Sequence, residues 1–219
     1  MIDDLSKTLA TVLTTAGAHQ LATALVSFDR PTAQFNPQQT AINLFLFDIR
    51  ENIELRSNEP IVTRSDTQAT IRRPPMRVDC SYLVTAWAVG GTEVALQEQL
   101  LLSQVLQVLA RHPTIPPSYL QGSLKRASAA LANRVANSSN VDPSGEPFPV
   151  PLSVAVPSAS RQPTEFWTSL GIPVRACLVV TATIALDLND PIPNTFPLVI
   201  SHAIELGTIA GDTVSEKTF

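Results

Sequence analysis

The one cysteine with neighbours suited to catalysis is Cys80, set between Asp79 and Ser81. A nucleophilic thiol needs access and a stabilised thiolate. Cys80 instead falls inside an alternating apolar stretch, Met76 to Ala88, which predicts a buried, inert thiol. His19, His112 and His202 are far apart, and no His-Glu-x-x-His pair occurs. His112 follows a long apolar-periodic segment and reads as a helix C-terminal residue rather than a metal ligand. The only glycine pair, Gly90-Gly91, reads as a strand-to-helix turn; there is no phosphate-cradling loop, dinucleotide fingerprint or Gly-x-Ser-x-Gly elbow. Trp87 and Trp167 read as packing residues of a core or subunit interface, and Arg72-Arg73 as a small solvated basic spot. No catalytic residue, cofactor site or metal site is expected.

The elements that position these residues follow from hydrophobic spacing. Ile2, Leu5, Leu9, Val12, Leu13 and Ala16 make one helical stripe, with Asp3 and Asp4 in the favourable first turn and Gly17 to end it. Short strands are expected at 23–28 and 152–156. Residues 41–50 read as a central strand apolar on both faces. Ile42, Leu44 and Leu46 share one face, and Asn43, Phe45, Phe47 and Ile49 the other. Residues 51–58 are polar and charged. A hairpin is expected from 59–64 and 69–73, projecting and pairing with something else because it has few apolar positions to bury. In the 76–88 strand, Val78, Cys80, Tyr82, Val84 and Ala86 face one way. Asp79, Ser81, Leu83, Thr85 and Trp87 face the other.

Thr92 is placed to N-cap a helix over 93–111 whose buried stripe is Val94, Leu101, Leu102, Val105, Leu106 and Leu109, and Pro113 stops it. Residues 122–134 carry helix formers with weak periodicity, and about 125–150 reads as a mobile loop. A short helix begun by 164–167 and ended by Gly171, a long strand at 174–188, an edge strand at 197–206 and a polar C-terminal tail complete the chain. This order gives an α+β fold: a mixed sheet packed by an N-terminal helix and a long central helix. Residues 1–190 form the expected main domain and 191–219 an edge strand and tail.

Composition bounds the partners. The 219 residues hold 44% hydrophobic types, enough for a core, but only 16% charged residues, against about 25% in an average soluble protein. The 18 Ser and 21 Thr supply much of the polar surface, which suits faces covered by other subunits. A net charge of −4 argues against nucleic acid. Two cysteines fit a reducing compartment, and an acidic start without a signal-like pattern points to cytoplasmic assembly. The apolar run 176–188 is too short and too interrupted to span a bilayer, which takes about 20 residues. Membrane contact is not indicated.

Four stretches together carry a family resemblance: Met1-Ile2-Asp3-Asp4-Leu5-Ser6; Val26-Ser27-Phe28-Asp29-Arg30-Pro31; 42–52 with Leu55-Arg56-Ser57-Asn58; and 72–87, from Arg72-Arg73-Pro74-Pro75 to Thr85-Ala86-Trp87. Leu109-Ala110-Arg111-His112-Pro113, Leu120-Gln121-Gly122-Ser123-Leu124 and Glu165-Phe166-Trp167 continue it. Over roughly residues 1–190 the chain resembles the tube-terminator, or cap, proteins of phage-tail-like contractile injection systems of the antifeeding-prophage and virulence-cassette type.

The resemblance implies a tail-terminator-like fold and a structural role. Such a cap is a homohexameric ring on the distal end of an inner tube; it stops tube growth and contacts the last sheath layer. The implied partners are further copies of the chain, the tube protein and the sheath protein, in a particle released or membrane-attached. The polar segment and the hairpin supply the expected assembly residues: Arg50, Glu51, Asn52, Glu54, Arg56, Glu59, Arg64, Arg72 and Arg73. The alternatives are a phage tail-completion protein, an adaptor anchoring a particle to a membrane, and a small enzyme using Cys80 or a carboxylate site.

Overall fold

The computed structural model describes residues 1–17, 20–32, 35–64, 68–136, 148–156, 167, 171, 173–188 and 195–197. Its centre is a five-stranded mixed sheet. In chain order its strands are β1 (Leu25–Ser27), β2 (Ala41–Glu51), β5 (Met76–Trp87), β6 (Leu152–Val154) and β7 (Cys177–Leu186). In space the order is β1-β2-β5-β7-β6, parallel only between β1 and β2. The hairpin β3 (Ile61–Arg64) and β4 (Gln68–Arg72) belongs to a second sheet, completed by β8 (Thr195–Pro197).

Central β5 alternates as its sequence predicts. Val78, Cys80, Tyr82, Val84 and Ala86 join one core cluster with α1 (Ile2–Ala16) and α3 (Val94–Ala110), separated in the chain by the short α2 (Gln20–Thr23). From α1, Leu5, Leu9, Val12 and Leu13 are fully buried. Each such side chain contributes about 1.5–3 kcal/mol relative to exposure. Leu83 and Thr85 on the opposite face are buried too, as a strand with neighbours on both sides and cover on both faces requires.

Several expectations are corrected. β2 pairs Leu46 with Tyr82 and then Asp48 with Ser81, so Phe47 is an extra residue in the ladder. The bulge reverses the faces beyond it. Ile49 therefore lies opposite Cys80, on the face of Leu44 and Leu46, not on that of Phe45. Helix α3 is capped at Glu93 with no side-chain bond, so Thr92 does not cap it. Its buried residues are Leu101, Leu102, Val105, Val108 and Leu109, while Val94 and Leu106 are exposed. The helix is apolar nearly all round, so sequence spacing alone placed these two on the wrong face.

Residues 125–136, expected within a loop, belong to helix α4 (Gly122–Ala136). Of the remainder, 137–147 lie outside the described residues and 148–150 lead into β6. The hairpin was expected to project and pair with something else, and within the chain β4 pairs with β8 through Thr70↔Thr195 to Gln68↔Pro197. The edge strand starts earlier than expected, at Thr195; residues 198–206 lie outside the described residues. So do 164–166 of the expected short helix, whose Trp167 is helical and buried.

Candidate assembly site

At one end of the main sheet β2 finishes, β5 begins and β7 finishes. The chain leaving β2 folds back on itself there. Asn52 donates its amide to both oxygens of Asp79, at 3.0 and 3.1 Å, while its own Oδ1 accepts the Leu55 N–H at 2.9 Å. Its backbone N–H donates to the Arg77 carbonyl at 2.9 Å, extending the ladder by one bond. Thr183 of β7 donates to Asp79 Oδ1 at 2.6 Å. An Asn side chain that closes its own turn in this way is a common loop device. Here it also ties the loop to two strands.

Glu51 and Arg56 close the same loop with a forked pair: Arg56 Nε donates to Oε1 at 2.7 Å and a second nitrogen to Oε2. The guanidinium holds the Glu51 carboxyl below its usual range. Both groups face water, so the pair fixes geometry more than it stabilises the fold. Arg50 pairs with Asp48 at 2.9 Å.

The Glu51–Arg56 pair rims a groove of about 430 Å³. Glu51, Arg56, Arg73 and Arg77 supply its charges, and Pro74, Pro75, Met76 and Leu188 its apolar walls. Of the residues expected at the assembly site, Glu51, Arg56 and Arg73 meet here, and Asn52 anchors the loop beside them. Glu54 and Glu59 are exposed on the same segment. Arg72 is exposed at the end of β4, and Arg64 ends β3.

Spacing missed three features. Arg77, inside a strand, is 9% exposed and lines the groove; a charged residue in the middle of an apolar run was its signal. Ile53 and Leu55, 73% and 47% exposed, stand in a segment read as polar. Asp79, read as a neighbour of Cys80, is the receptor for Asn52 and Thr183. A second exposed apolar pair, Leu96 and Leu100, lies one turn apart on α3.

The chemistry considered for other residues resolves in favour of packing. Cys80 is fully buried, and burial, followed by the charges of Asp79 and Asp48, pushes its thiol up to about 11. The His112 ring shares a 2.7 Å hydrogen bond with the Val108 carbonyl, at the end of α3. Gly90 and Gly91 have φ of 83° and 90°, the left-handed turn conformation that favours glycine. Trp87 is covered by the Arg175 guanidinium at 3.7 Å and the edge of Phe35 at 4.8 Å. Among the described residues no three His, Cys, Asp or Glu gather to hold a metal. Nor is any described helix long and apolar enough to cross a membrane.

Two solved structures share the fold. One is the PVC sheath/tube terminator of an extracellular contractile injection system in its extended state, at 22% identity and a TM-score of 0.62, over 95% of this chain. The other is the tube-terminating cap of the anti-feeding prophage, at 20% identity and a TM-score of 0.57, over 94% of this chain. The chain spans 65% and 61% of the lengths of those two chains. No curated protein matches it. The family pattern of the Pvc16 N-terminal domain covers residues 4–201, so the chain belongs to the Pvc16 N-terminal domain family.

Proposed function

We propose that the protein is a structural cap of a contractile injection particle, assembling as a homohexameric ring that terminates the inner tube and contacts the last sheath layer. The observation that carries this reading is the fold shared over 95% of the chain with a sheath/tube terminator. The surface supports it: charged residues are few, and Ile49, Ile53, Leu55, Leu96 and Leu100 are exposed. Exposed apolar groups of this size mark interaction surfaces when they cluster. A ring needs two different faces on each subunit, joined head to tail with a rotation that closes. The 50–59 segment is our assignment for one of these faces, with Arg50, Glu51, Asn52, Glu54, Arg56 and Glu59 around Ile53 and Leu55. The hairpin, with Arg64, Arg72 and Arg73, lies along the same contact.

No catalytic role is assigned. The buried, protonated Cys80 thiol is a poor nucleophile, and a cap needs no covalent step. Electron microscopy of particles from a strain lacking this chain tests the proposal. Tubes of uncontrolled length, or tubes with bare ends, are expected. Tubes of normal length with an intact terminal ring overturn it.

A further inference from the structure

Arg77 is a buried cation that forms no ion pair among the described residues, although the charge of Asp79 acts on it. Only 9% of its surface is exposed, and among the described residues its Nε has no hydrogen-bond partner. The nearest carboxylate on its own strand, Asp79, is occupied by Asn52 and Thr183. Arg56 and Glu51 neutralise each other at the groove's rim. What Arg77 does have is an aromatic seat: its guanidinium carbon lies 4.8 Å from the centre of the Phe148 ring. That ring is fixed in turn, because the Phe148 backbone is hydrogen-bonded at both its N–H and its carbonyl to Ser128 of α4. An arginine stacked on an aromatic face keeps its edge available for a planar acceptor. A buried charge without a close partner is costly, and burial, opposed by the charge of Asp79, holds this guanidinium below its usual pKa.

The groove that Arg77 lines completes the case. With Arg56 and Glu51 paired to each other, Arg77 is the buried cation of the groove, beside the apolar surfaces of Pro74, Met76 and Leu188. We propose that this groove receives a carboxylate side chain carried between apolar residues on an extended segment of a neighbouring protein in the particle, with the Arg77 guanidinium as its counter-charge. The inference rests on the cap reading only in taking the neighbour to be a particle component.

The test uses the full chain, labelled with nitrogen-15, and two blocked peptides, acetyl-Leu-Glu-Leu-amide and acetyl-Leu-Gln-Leu-amide. The Arg77 Nε–Hε signal is expected to shift saturably with the glutamate peptide. The glutamine peptide should need at least about tenfold more for the same shift. Equal response to both peptides, or none to either, overturns the proposal. The backbone N–H signals of Met76 and Leu188 should shift with the glutamate peptide in the wild type and no longer in the Arg77→Leu variant, which is expected to keep or raise the Tm. A marked fall in Tm would mean that the charge is already satisfied within the subunit, and overturns it as well. In particles, Arg77→Leu should leave tube ends uncapped, and normal capping by this variant sinks the inference alone. Normal tubes after deletion of the whole chain would instead sink the cap reading, and the peptide titration would still decide the groove.

Discussion

Asp4 in the first turn of α1 accepts two hydrogen bonds from Ser123 in the first turn of α4, one from the backbone N–H at 2.7 Å and one from the hydroxyl. One helix thus caps another across 119 positions of chain. The Ser123 hydroxyl, followed by its backbone N–H, holds the Asp4 carboxyl below its usual pKa. A lowered folded-state pKa gives stability that is present above the unfolded value and lost as pH falls through the folded one. The wild-type Tm should therefore drop between about pH 5 and pH 3 more steeply than that of Asp4→Asn. Parallel acid dependence of the two proteins, followed by circular dichroism, would show that the cap carries no charge-linked stability.

Gly122 sits beside that cap with φ of 48°, and a Cβ there would come within 2.4 Å of Asp4 Oδ1. Gly122→Ala should cost about 1–3 kcal/mol, from the left-handed backbone and the displaced carboxylate together. The second part vanishes once Asp4 is already Ala. Urea titration of both single variants and the double variant should show the pair to be non-additive. Strict additivity removes the claimed contact.

Cys80 offers a direct test of chemistry against packing. With its thiol pushed up to about 11, roughly one molecule in a thousand carries the thiolate at pH 8. Iodoacetamide should leave Cys80 unmodified in the native chain and modify it fully in urea, read by mass spectrometry. Cys80→Ala should cost about 1–2 kcal/mol as a small cavity and leave assembly unchanged. Rapid native alkylation would restore the enzyme reading.

Asn52→Ala removes both hydrogen bonds to Asp79 and opens the turn at Leu55. The expected loss is about 2 kcal/mol, because a half-buried carboxylate loses donors as well as the loop losing its tie. Amide exchange of Leu55 should accelerate well beyond that of β5. Equal protection in variant and wild type would show that the side chain does not hold the loop.

The legible parts of this fold were those set by local periodicity. Strand β5 could be read because its two faces differ in a simple two-residue rhythm, and α1 because its stripe is narrow. The bulge at Phe47 could not, since Leu46, Phe47 and Ile49 are all apolar and no mismatch marks where the ladder slips. The outer face of α3 was hidden for the same reason: leucines on both sides leave no polar face to orient it. The polar loop after β2 is legible in its composition, and Glu51, Arg56 and Arg73, expected there as assembly residues, line one groove. Their convergence with Arg77 arises from three strand ends brought together by the sheet, a relation that spacing along one segment does not contain. Nor could Asp4 be matched with Ser123, because helix capping between distant helices follows from packing.

Ile53 and Leu55 carry the proposed contact between subunits. They project from a loop whose backbone is fixed by Asn52, so an apolar contact there would be preorganised rather than folded on binding. Ile53→Ser with Leu55→Ser should change subunit stability by no more than about 0.5 kcal/mol, since both side chains already face water. In an interface the same change should weaken association by at least about tenfold, the usual effect of removing central apolar anchors. Light scattering across a concentration series, with and without purified tube, reads the ring population directly. The companion variant Leu96→Ser with Leu100→Ser removes the other exposed apolar pair on α3 at a similar small cost. Loss of rings only in the first variant places the contact at the loop after β2. Loss only in the second moves it to α3, and loss in both identifies the two faces that a head-to-tail ring requires. A strict monomer in the wild type, even with tube present, would remove the ring itself.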